Sequence, residues 1–170
     1  MEPWVGPAIV AAVISGLVSL IVVQLNFRQQ RRGDRLRRLE KIRDFQIALR
    51  AEIRSELRNL AHHDIEEQLA RVRQFYESRP DYAVTVPRPP ESLVFRALVG
   101  EIHILPGRVI DPVVLFERQR AAIAQLADDM RDAGFRFHSR EQQLAMYEDY
   151  LNMWSAWRDF ALQAEAALDQ

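Results

Sequence analysis

Two hydrophobic regimes divide this chain. From Trp4 to Phe27 it reads WVGPAIVAAVISGLVSLIVVQLNF, and no residue between Glu2 and Arg28 is charged. About 20 helical residues cross the ~30 Å core of a bilayer, so the run predicts a single transmembrane helix. From Leu36 the apolar positions fall three and four apart instead: Leu36, Leu39, Ile42, Phe45, Leu49, Ile53, Leu57 and Leu60, then Ile65, Leu69, Val72 and Phe75. That spacing predicts one amphipathic stripe over 34–78, the length of a stalk or of a bundle's spine.

The stripe has one gap, Ala61-His62-His63-Asp64. Asp64 with Glu67 three residues on resembles a capping box, so the helix is expected to break and restart there. His62 with Glu66, and His63 with Glu67, stand four apart, a spacing at which two side chains on one helix face share a metal. A metal site needs three or four converging ligands, and only Glu101, His103 and His138 offer themselves as the others. The pairs therefore read as a solvated face, and no cofactor or metal is expected.

Residues 79–92 hold four of the eight prolines and predict an extended connector in which Tyr82, Val84 and Val86 alternate along a helix groove. Ser92 caps a short apolar helix that Leu105-Pro106-Gly107 ends. Asp111-Pro112 opens a helix running to about Asp132, and Ser139 with Gln142 forms a capping box for a last helix over 140–168. The stripes Val113, Phe116, Ile123, Leu126, Met130 and Leu144, Tyr147, Leu151, Trp154 face one another in an antiparallel pair. Trp154, Trp157, Tyr147 and Tyr150 read as core aromatics rather than a ligand cage. The expected fold is all-α: a single N-terminal transmembrane helix (1–27), a basic juxtamembrane segment (28–43), and a helical domain (44–170, loop 79–92) built from a long amphipathic helix and a small antiparallel bundle.

Charge gives the first segment a direction. Residues 28–43 hold eight cations against Asp34 and Glu40, a net of +6, while residues 44–170 sum to −6. The positive-inside rule then places the N-terminus outside and the rest in the cytoplasm, as a single-pass protein of the inner (plasma) membrane. Arg28, Arg31, Arg32, Arg35, Arg37 and Arg38 would contact anionic headgroups. Within the span, Ala8, Ala12 and Gly16, and again Ser15 and Ser19, recur at a spacing of four and offer a helix-packing face, although small residues are also ordinary in spans. The acidic remainder excludes nucleic acid as a main partner.

The 170 residues include no cysteine, which excludes disulfides, thiolate metal sites and cysteine nucleophiles. Phosphate loops, HExxH and GxSxG are also missing, so no enzymatic activity is expected. The expected function is a membrane-anchored helical scaffold or accessory subunit that presents its bundle to a membrane or cytoplasmic protein partner, as a homo-oligomer beside the lipid bilayer. The alternative is a stress- or phage-linked effector whose spans oligomerise to perturb the bilayer. A ligand-sensing domain, with a pocket between the aromatic helices, is a third reading.

Overall fold

A computed structural model describes residues 5–60, 64–79 and 81–169; within them, the side chains of residues 5–19, 21 and 25 are not described. Among the described residues five α-helices follow one another: α1 (Val5–Leu60), α2 (Ile65–Ser78), α3 (Leu93–Leu98), α4 (Gly107–Arg131) and α5 (Arg140–Leu168). Two 3-10 segments, Val99–Ile104 and Ala133–Phe137, complete the order, and no strand occurs among the described residues. The chain divides into two compact units, Met1–Asp44 and Phe45–Gln170.

The expected membrane anchor is overturned. Among the described residues no helix is long and apolar enough to cross a membrane. The helix that carries the apolar run does not end with it: α1 continues through Gly33, and its described side chains from Arg28 onward are dominated by charge. The transmembrane part of the fold, the single-pass description and the oriented placement in the inner membrane are withdrawn together. In this first unit the described apolar side chains Leu20, Val22, Val23, Phe27, Leu36 and Leu39 are exposed.

The second unit holds the core. The C-terminal part of α1 is packed there: Leu49, Ile53 and Leu60 are buried. It runs antiparallel to α5, with Arg50 Nη1 2.5 Å from Asp169 Oδ1, Arg54 Nε 2.5 Å from Glu165 Oε1, and Leu60 beside Leu151 and Trp154. The chain restarts as α2 where Asp64 accepts a hydrogen bond from the Glu67 amide at 3.0 Å. Leu69, Val72 and Tyr76 carry the buried stripe onward against the first half of α5.

Helices α4 and α5 form the most extensively packed pair. Gln119 Nε2 donates to the Met153 carbonyl at 3.0 Å, and Phe116 stacks on Trp157 with ring centroids 5.3 Å apart. Val109, Val113, Phe116, Ile123, Ala127 and Met130 of α4 and Tyr147, Tyr150, Leu151, Trp157, Ala161 and Ala164 of α5 are all buried. The capping box expected at the start of α5 is present: the Gln142 amide donates to Ser139 Oγ, and Gln142 Oε1 accepts from the Ser139 amide.

Two local expectations shift. Helix α4 starts at Gly107, so Pro112 lies inside it rather than at its first position. Its first turn closes on the Pro106 carbonyl through the amides of Val109 and Ile110, at 2.8 and 3.2 Å. Val109 is fully buried, and its burial with Val113 draws the helix back one turn. The apolar helix after Ser92 splits at Leu98 into α3 and a 3-10 segment, and Leu93 is 77% exposed.

Candidate interaction groove

The connector is held at several points between Tyr82 and Ser92. Val84 and Val86 are buried, the Val84 amide donates to Tyr76 Oη at 3.2 Å, and Tyr150 Oη donates to the Pro87 carbonyl at 2.6 Å. Tyr76 Oη also donates to Gln143 Oε1 at 2.6 Å, and Gln143 Nε2 reaches the His138 carbonyl at 2.9 Å. Proline fixes the strap's extended shape, while the tyrosines fix its place on α2 and α5.

The strap delivers Ser92 and α3 to the face of α4, where a carboxylate of α1 receives them. Glu52 Oε2 accepts from Ser92 Oγ at 2.6 Å and from the Phe95 amide at 3.2 Å; Glu52 Oε1 accepts from the amides of Leu93 and Val94 at 2.8 and 3.1 Å. Ser92 Oγ itself caps the Phe95 amide at 2.9 Å. The first N–H groups of a helix have no partner within it, and an anion there is favoured by both hydrogen bonding and the helix dipole.

Next to this clamp lies Glu117, whose side chain is 8% exposed, ion-paired with Arg120 one turn on. Burial pushes its carboxyl up to about 7; the Arg120 guanidinium opposes the rise and the Glu52 carboxylate adds to it. Burial also raises Glu56, one turn along α1 from Glu52. Arg120 Nη1 completes the cluster by donating to the Pro90 carbonyl at 3.2 Å.

No family model, curated protein or solved structure matches this chain. Its functional reading therefore rests on its own surfaces.

Ser92, Glu117 and Arg120 of this cluster also line a groove of about 530 Å³ between the strap with α3 on one side and α4 on the other. Val114, Ala121 and Ala124 of α4 make its floor, and Pro89, Phe95 and Val99 its apolar wall. Arg88, Arg96, Arg118 and Arg120 edge it, against Glu91 and Glu117. Arg88 lies 3.5 Å from Asp128 and Arg96 2.5 Å from Glu91, both in exposed pairs that solvent screens. The lining thus carries a net +2 on a unit whose fifteen basic and twenty acidic residues sum to −5.

The residues singled out from sequence lie elsewhere. The side chains of Ala8, Ala12, Ser15, Gly16 and Ser19 lie outside the described residues, as do His62 and His63. Arg28, Arg31, Arg32, Arg35, Arg37 and Arg38 are exposed on α1 in the first unit. Among the described residues no group of three or more His, Cys, Asp or Glu side chains is placed to hold a metal ion. Sequence reading missed Glu52, Glu117 and the arginine edge. The available signals were faint: Glu52 and Glu56 flank the buried stripe of α1, and Glu117 with Arg120 is an ordinary i, i+3 pair.

Proposed function

We propose that this chain is a helical protein-interaction module, a scaffold or accessory subunit that takes a segment of a partner in the groove between α4 and the strap with α3. One observation carries the reading. The groove combines an apolar floor with an arginine edge on an otherwise acidic unit, and its walls are held in place by the Glu52 clamp and the Tyr150 contact. An apolar centre within a polar rim is the usual anatomy of a protein interface, and arginine is enriched there.

The absence of cysteine makes a direct test simple. Ala121→Cys in the full chain places a unique thiol on the groove floor for a photo-crosslinker, and Gln163→Cys places one on an exposed position of α5. A defined crosslinked protein, obtained from position 121 and absent from position 163, is the expected result. Equal labelling from both positions, or no product from position 121, overturns the reading.

A further inference from the structure

Resting on that interaction reading, we propose that the groove's occupant is an acidic amphipathic helix of a partner protein, its apolar face on Val114, Ala121 and Ala124 and its carboxylates on Arg96 and Arg118. Three observations lead to it.

The shape of the floor comes first. Val114, Ala121 and Ala124 follow one face of α4, with Arg118 set between the first two at spacings of four and three, so the floor is a helical row met by the arginine edge. Two of the three floor residues are alanine, and they keep the row low beside Phe95 and Val99. A helix laid along such a row approaches closely and reads it with anchors at i, i+3, i+4 and i+7.

Charge supplies the sign. The edge is positive where the whole unit is negative, so an acidic segment is attracted to this face. Arg118 is exposed, and Arg96 is paired with Glu91 with both side chains more than half exposed. Their guanidinium groups present planar forks that match carboxylates. Arg120, by contrast, is committed to Glu117 and Pro90 and serves the wall.

The wall supplies the third. Glu52 already occupies the amide end of α3. The acidic partner is therefore left to the side-chain arginines, which distinguishes this surface from a backbone anion site.

The test uses the full chain and three synthetic helical peptides of equal length. One carries leucine at i, i+3, i+4 and i+7 with glutamate elsewhere; the second replaces the glutamates by lysine; the third keeps the glutamates but scatters the leucines around the helix. Fluorescence anisotropy should show binding of the first at least tenfold tighter than of the second or third, weakening as salt is raised. The double variant R96E/R118E, checked for an unchanged unfolding midpoint, should lose the glutamate peptide by at least tenfold and gain the lysine peptide. Indifference to peptide charge, with binding still abolished by Ala121→Arg, overturns the acidic occupant but leaves the interaction module standing. Binding that ignores both the charge reversal and Ala121→Arg, or no binding of any peptide, overturns the occupant and takes the groove from the broader reading.

Discussion

The carboxylate of Glu52 accepts the Ser92 hydroxyl at 2.6 Å across 40 residues of chain. With the three amides that follow, that contact holds a six-residue helix too short to persist alone. Glu52→Ala strands those donors and should cost about 2–3 kcal/mol. Glu52→Gln keeps an acceptor and should cost roughly half as much. Urea unfolding measures both, and amide exchange localises them; protection at Leu93 to Phe95 that survives Glu52→Ala would sink the clamp.

Glu117 makes stability depend on pH in a direction opposite to that of a paired surface carboxylate. Its carboxyl titrates from an ordinary 4.5 when unfolded to about 7 when folded. Below pH 4.5 both states hold the proton and above 7 neither does. Its contribution is therefore fully present at low pH and is lost as pH rises through 7, amounting to about 3 kcal/mol. Glu117→Gln, a permanent mimic of the protonated form, should match the native chain near pH 4.5 and melt higher at pH 8. A constant offset across that range would show that ionisation of Glu117 is not what the fold resists.

Two tyrosine-to-phenylalanine changes should rank by what they leave behind. Removing the Tyr76 hydroxyl strands both Gln143 Oε1 and the Val84 amide in buried surroundings, at about 2 kcal/mol. Tyr150→Phe releases only the Pro87 carbonyl, at about 1 kcal/mol. Burial raises the Tyr150 hydroxyl to about 12, so this contact should persist through pH 10. Guanidinium unfolding of the two variants gives the order, and the reverse order would mean the strap is held chiefly at Pro87.

Aromatic residues in this chain differ sharply in consequence. Trp157 is fully buried and stacked on Phe116, and its Nε1 has no hydrogen-bond partner among the described residues. Trp157→Ala should cost about 3–5 kcal/mol through lost burial and the cavity left. Phe137, 89% exposed in its 3-10 segment, should change stability by less than about 0.5 kcal/mol when replaced by serine. Thermal unfolding of both variants checks the contrast.

What could be read from the chain in advance was what is decided locally. The caps at Asp64, Ser92 and Ser139 follow from side chains within three residues of the amides they bind. The bundle stripes follow from helical period. The start of α4 was misplaced because Asp-Pro is a strong local signal, while the burial of Val109 is tertiary. The membrane anchor was read from an uncharged apolar run, yet among the described residues no helix is long and apolar enough to cross a membrane. The groove was invisible for a related reason. Ala121 and Ala124 look like unremarked helix formers until Phe95 and Val99, more than 20 residues earlier, are set beside them.

The pairing of α1 with the far end of α5 also sets a timetable. Arg50 meets Asp169 across 119 residues, so the end of α1 that carries Leu49 and Ile53 lacks its α5 partner until those residues have been synthesised. At about 5–20 residues per second the ribosome takes roughly 6 to 24 s to supply it. During that interval the nascent chain displays an apolar ribbon to whatever surrounds it. A chain interrupted before α5 is one that chaperones and proteases will meet as unfinished.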